Sequence, residues 1–182
     1  MTAQLYDLKE EARIKVLEDF RVLDTPAEPV FDKITELAAY VFQADISLIS
    51  FVDQGRQWFK SLYGMAVRST PREFSFCSHA IQSEEIYCVK DATRDPLFKH
   101  NPLVTGAPFI RSYYGSPLRT ECGMQLGTLC VISKTVIEPS EVQLRQLRDL
   151  SQLTMAELTM RRKQLQDFWI NPAPHSGGLQ RG

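Results

Sequence analysis

Between Phe42 and Ile46 the spacing of apolar residues changes from three-and-four to two, and no other feature narrows the choice of fold as far. Upstream, Leu5, Leu8, Ala12, Val16, Leu17 and Phe20 recur at helical spacing among Glu10, Glu11, Arg13 and Lys15, which predicts an amphipathic helix. The run 23–29, with Pro26 and Pro29, breaks it, because proline fixes the backbone and withholds a donor. Thr25 with Glu28 has the form of a capping box, but Pro29 stands where an N–H is needed. A proline is favoured at a first helical position, so the second helix starts near Pro29 and runs to about Phe42. Val30, Ile34, Leu37, Ala38 and Val41 are its expected buried stripe. Downstream, the β-branched and aromatic run Ile46–Val52, the turn Asp53-Gln54-Gly55 and the run Gln57–Tyr63 predict an antiparallel hairpin.

The remainder alternates loops and strands. Residues 64–76 read as a loop, with Ser75 as the cap of a short helix over Cys77–Ile81. Ile86–Val89 reads as a strand, and Asp91–Phe109 as a long irregular insert in which Asp95-Pro96 opens a one-turn helix. An insert of that length in a compact domain is the natural place to look for a binding site. Ser112–Leu118 and Gln125–Ser133 are the last strands, turned at Glu121-Cys122-Gly123. Ser140 and Gln143 then form a capping box for a helix reaching about Phe168, on the order of 40 Å long. Leu144, Leu147, Leu158 and Leu165 make its seam, interrupted by Ser151, Thr154 and Arg161. Such a rod outruns a small sheet, so part of it belongs to another interface or to water. The order describes an α+β domain with one antiparallel sheet, divided as an N-terminal helix over 1–22, a core over 23–139, a C-terminal helix over 140–168 and a disordered tail over 169–182.

Lys plus Arg number 21 and Asp plus Glu 22, a net charge of −1 that gives no electrostatic case for nucleic acid or an anionic membrane as partner. No apolar run approaches the roughly 20 residues of a bilayer span, and the N-terminus has no signal core. The four cysteines, Cys77, Cys88, Cys122 and Cys130, form no C-x-x-C pair and are too sparse for a disulfide scaffold. A cytoplasmic chain with reduced thiols is expected.

No phosphate-binding loop, dinucleotide fingerprint, nucleophile elbow or paired zinc histidines occur, so no metal is expected and the cofactor is unknown. Cys77 and His79 come nearest to a catalytic pair, as thiolate and base or as two metal ligands. Two residues apart on a helix they point about 200° from one another, which favours a buried thiol beside a hydrogen-bonded imidazole. Trp58, Phe59 and Tyr63 read first as core and strand formers. Arg111 stands where the insert enters a strand bearing Tyr113 and Tyr114, suited to holding an anion or to an ion pair with Asp91 or Asp95.

Leu23-Asp24-Thr25-Pro26, Ile46 to Asp53, Arg56-Gln57-Trp58-Phe59-Lys60-Ser61, Phe74 to Ile81 and Asn101-Pro102-Leu103-Val104-Thr105-Gly106, followed by Gly115-Ser116-Pro117-Leu118 and Leu126 to Ile132, together resemble the GAF sensory domain. They are most similar to the branch found ahead of bacterial histidine kinases and diguanylate cyclases. The resemblance runs from about Leu17 to Leu158 and implies a GAF-like antiparallel sheet with helices on its faces and a pocket between sheet and insert. Residues 98–114 hold no cysteine for a covalent bilin, and 104–106 hold none to match the catalytic thiol of the family's free methionine-(R)-sulfoxide reductases, although Cys77 and Cys88 resemble two of their three thiols in placement.

The expectation is therefore a non-enzymatic, cytoplasmic signal-transduction sensor of two-component type. Its small ligand would lie near Phe51, Trp58, Phe76, Cys77, His79, Asp91, Arg111, Tyr113 and Cys130, and its terminal helices would carry the signal. It would act as a homodimer, on an output domain or on a partner kinase or cyclase. The alternatives are a dimerisation scaffold without ligand and a thiol redox enzyme using Cys77 and Cys88.

Overall fold

A computed structural model describes residues 3–170, with side chains from 7 to 168. The tail expected over 169–182 lies, but for the last two residues of the final helix, outside the described residues. In chain order the elements are α1 (Ala3–Asp19), α2 (Pro29–Phe42), β1 (Ile46–Val52), β2 (Arg56–Tyr63), β3 (Ser69–Pro71), α3 (Phe76–Ala80), β4 (Tyr87–Val89), α4 (Pro102–Thr105), β5 (Ser112–Arg119), β6 (Gln125–Ser133) and α5 (Glu141–Ile170). A 3-10 turn over Arg72–Phe74 leads into α3.

The six strands form one antiparallel sheet in the order β3-β2-β1-β6-β5-β4, so the chain's first and last hairpins meet at the centre through β1 and β6. Gly127 lies opposite Phe51 in that central pair, where a Cβ would stand 1.8 Å from the Ser50 carbonyl oxygen, so only glycine fits. Both margins of the sheet, β3 and β4, are three residues long.

The two faces carry separate cores. One packs α1, α2 and α5 through Leu17, Phe31, Ala38, Phe42, Ile49, Phe51, Trp58, Leu129, Leu147 and Leu158. The other packs α3 and the insert through Ile46, Leu48, Phe59, Phe76, Cys77, Phe98, Val104, Tyr113 and Cys130. Burying apolar area at about 25 cal/mol per Å² is what holds each layer to the sheet.

The helices begin and end near where the periodicity places them, but their phases differ. In α2 the buried residues are Phe31, Ile34, Thr35, Ala38, Ala39 and Phe42, while Val30 and Leu37 are exposed. Thr35 goes inward because its hydroxyl is satisfied, donating to the Asp32 carbonyl at 2.9 Å and meeting Ser61 Oγ at 2.7 Å. In α1 Leu8 is exposed and Ile14 is buried instead. Ser151 and Thr154, which interrupt the apolar seam of α5, are buried and bonded, Ser151 to Ser116 of β5 beneath it and Thr154 to the Leu150 carbonyl. The Ser140–Gln143 box forms as expected. The helix expected at Asp95 is instead a turn capped by Asp95 accepting from the Leu97 N–H, and the one-turn helix α4 begins after Asn101. β3 lies in the stretch expected to be loop. No helix of the described residues is long and apolar enough to cross a membrane.

Candidate functional site

Beneath the insert, three neighbouring segments bring polar atoms into an apolar layer. Ser75 caps α3 by accepting from the Ser78 N–H, and its hydroxyl donates to the buried Gln57 Oε1. This cap turns Phe76 and Cys77 toward the sheet. Phe76 stacks on Phe98 of the insert with ring centroids 3.9 Å apart and lies 5.3 Å from the Tyr113 ring. Cys77 is fully enclosed, and its sulfur lies 4.0 Å from that of Cys130 on β6. Tyr113 and Thr128 both donate to Cys77 Sγ, at 3.2 and 3.0 Å, and Ser50 stands 3.3 Å behind Thr128. Gly115 makes room for this: a Cβ there would lie 2.2 Å from the Tyr113 hydroxyl.

The electrostatics follow from those bonds. Burial by itself drives the Cys77 thiol up, but hydrogen bonds converging from Cys130, Ser50, Thr128 and Tyr113 outweigh it and hold Cys77 below the ordinary thiol range. Cys130 is driven the other way, by its bond to Cys77 and by burial. Burial and the neighbouring thiols raise the Tyr113 hydroxyl, which stays a donor.

Of the nine residues expected at the site, Phe76, Cys77, Tyr113 and Cys130 are brought together in this layer. His79 stands at its edge, half-buried, its ring edge-on to Phe98 at 5.1 Å. Asp91 and Arg111 do not pair. The Asp91 carboxylate accepts from the N–H and hydroxyl of Thr93, and Arg111 donates to the Val104 and Ile110 carbonyls, pinning α4 to the start of β5. Phe51 and Trp58 are separated from the rest by the sheet itself, facing the helices with centroids 6.4 Å apart. Alternation along a strand sends Phe51 to the face of Ile49 and away from that of Leu48. Cys88 is exposed on β4, so it is Cys130 that stands beside Cys77.

The void within the layer is small. It holds about 30 Å³, lined by Gln57, Ser75, Cys77 and Tyr113 and rimmed by the half-buried Met65 and Leu103. Pockets for ligands of drug size run to roughly 300–1,000 Å³.

A second polar cluster ties the terminal helices to the other face. Lys60, whose side chain is wholly buried, donates to Thr25 Oγ1 at 2.8 Å, the Pro26 carbonyl at 2.7 Å and Glu28 Oε1 at 2.6 Å. The same Glu28 oxygen accepts from Arg161 of α5 at 2.8 Å, and Arg161 also donates to the Phe20 and Arg21 carbonyls just past the end of α1. The Glu28 side chain thus makes no cap bond, although its carbonyl accepts from the Phe31 and Asp32 N–H groups at the start of α2. Glu10 of α1 binds Arg13 and Arg72, the latter four residues short of α3. Spacing in the sequence does not show either cluster, since each joins residues tens of positions apart. Hydroxyls set inside otherwise apolar strands, Ser50 and Thr128, were the available sign of the first.

The profile of the GAF domain family matches residues 26–158. A cyclic di-GMP phosphodiesterase of Pseudomonas aeruginosa is 40% identical over 159 residues, which cover 87% of this chain and 27% of that protein. Among solved structures, the GAF domain of a phosphoenolpyruvate-protein phosphotransferase from Coxiella burnetii superposes with a TM-score of 0.64 at 18% identity, covering 85% of this chain and 96% of that one. Free methionine-R-sulfoxide reductase from Neisseria meningitidis, solved with its substrate, superposes at 0.61 and 15% identity, covering 91% and 96%. At such identities the likeness is one of fold. The expectation of a non-enzymatic chain is corrected by the Pseudomonas relative, which is named as a cyclic di-GMP phosphodiesterase. This chain spans about a quarter of its length.

Proposed function

This chain belongs to the GAF domain family, a sensory and regulatory module, and we propose that it serves as the regulatory part of a protein that hydrolyses a cyclic dinucleotide. The observation that carries this reading is the 40% identity to the Pseudomonas phosphodiesterase over nearly the whole of this chain. In this reading the output region is the partner, and the rods α1 and α5 carry the signal. Their joint attachment to Glu28, Lys60 and Arg161 supports that, because a shift in one helix is felt at the other. Leu153 and Met160, exposed and seven residues apart on α5, suit pairing of two copies. Free cysteines accord with a cytoplasmic setting.

The small guest belongs between α3 and the insert, among Phe76, Cys77, Tyr113 and Cys130, with His79 at the rim. A void of 30 Å³ admits it only as the Phe76–Phe98 stack parts. Parting the stack moves α3, and Arg72 beside it passes the movement to Glu10 of α1. A thermal melt that no nucleotide or metabolite raises would remove this ligand from the reading.

The regulatory assignment is tested by exchange. This chain replaces the matching 159 residues of the Pseudomonas relative, and cyclic di-GMP hydrolysis is compared with that of the relative and of a form lacking the segment. The chimaera is expected to follow the relative. A chimaera indistinguishable from the truncated form, where that form differs from the relative, refutes the assignment.

A further inference from the structure

The regulatory reading sets the two buried thiols beside the guest but gives them no chemistry of their own. We propose that Cys77 and Cys130 are a peroxide-sensitive pair, which hydrogen peroxide entering the void beside Cys77 converts to a disulfide. Three observations carry this. The sulfurs are 4.0 Å apart with no other side chain between them in the bonded cluster. Two hydroxyl donors, Tyr113 at 3.2 Å and Thr128 at 3.0 Å, point at Cys77 Sγ, which marks it as the sulfur that ionises and attacks. The adjoining void of about 30 Å³ has room for a molecule of the size of water or hydrogen peroxide, which needs at least roughly 10–15 Å³, and none for a bulky disulfide such as oxidised glutathione.

The chemistry balances in two steps. The Cys77 thiolate attacks one peroxide oxygen, the O–O bond breaks, and sulfenic acid forms as the second oxygen leaves and takes up the thiol proton as water. Cys130 sulfur then attacks Cys77 sulfur, the S–O bond breaks, and the hydroxyl departs with the Cys130 proton as a second water. Both thiols are oxidised and the peroxide is reduced. The sulfurs must approach by about 2 Å to reach bonding distance. Cys130 is fixed in a strand paired on both sides, whereas Cys77 rides on the one-turn helix α3. The movement therefore belongs to α3, and it draws Phe76 away from Phe98.

The test uses the whole chain with Cys88→Ser and Cys122→Ser, which leaves only the buried pair. Hydrogen peroxide near stoichiometry is expected to remove two hydrogens from the intact mass and to join the Cys77 and Cys130 peptides, with dithiothreitol restoring both. In the same background Cys130→Ser is expected to trap Cys77 as a dimedone-reactive sulfenic acid, and Tyr113→Phe to move the pH midpoint of oxidation upward. The proposal is overturned if both thiols stay alkylatable in denaturant after peroxide that oxidises Cys88 or Cys122 in the unsubstituted chain. It is equally overturned if oxidised glutathione makes the same disulfide in the folded protein as fast as peroxide does. If Cys130→Ser does not fold, the peptide map of the doubly substituted parent decides alone.

Discussion

Glu28→Ala removes the carboxylate bonded to a side chain that water does not reach. Lys60 then keeps only two neutral oxygens, Thr25 Oγ1 and the Pro26 carbonyl, for a charge whose side chain has 0% exposure. Breaking a buried ion pair from one side costs about 3–5 kcal/mol. Glu28 is 34% exposed, so water replaces part of what is lost, and a smaller loss of about 2–3 kcal/mol applies here. At roughly 2–4 °C per kcal/mol for a chain of this size, the melting temperature falls by about 5–10 °C. Burial pushes the Lys60 ammonium down further than its bond to Glu28 pushes it back, so the pair is itself costly to bury. Lys60→Met added to Glu28→Ala is therefore expected to recover most of the loss. Circular-dichroism melts and urea titrations of both variants measure this. A loss below about 0.5 kcal/mol for Glu28→Ala, or a double variant no more stable than it, refutes the claim that an uncompensated charge is the cause.

Acid is expected to loosen α1. Hydrogen bonds from Arg13, with those from Arg72, outweigh burial and hold Glu10 at about 2, against an ordinary 4.5. A lowered carboxyl stabilises above its unfolded value and loses that contribution as pH falls from 4.5 toward 2. With the solvent exposure of this group the loss is about 1 kcal/mol, and Glu10→Gln should flatten urea midpoints over that window; an unchanged slope counts against it. Light scattering of Leu153→Glu with Met160→Glu is expected to give a monomer where the unsubstituted chain gives a dimer, and equal masses refute pairing through that face of α5.

The hairpins and helix limits were legible because periodicity and turn chemistry are local properties. Pro29, Asp53-Gln54-Gly55 and the Ser140–Gln143 box mark boundaries that the structure keeps. The phase of α2 was hidden, since counting apolar residues favours Val30 and Leu37, while Thr35 gains a hydroxyl partner that only the fold supplies. The site was legible in part for a related reason. Alternation sets Phe51 opposite Leu48, but which face the insert covers depends on how β5 and β6 return. That return also places Cys130 beside Cys77, a juxtaposition across 53 positions that no spacing rule encodes.

The three-residue ribbons at either margin of the sheet bear on how copies of this molecule meet. A ribbon so short, ending on one side in Pro71, which has no N–H to offer, is a poor template for strand addition by a neighbour. Side-by-side growth into fibrils is blunted at both borders. The pairing proposed through α5 differs in kind, since a contact between two helical flanks is finite and closes on itself.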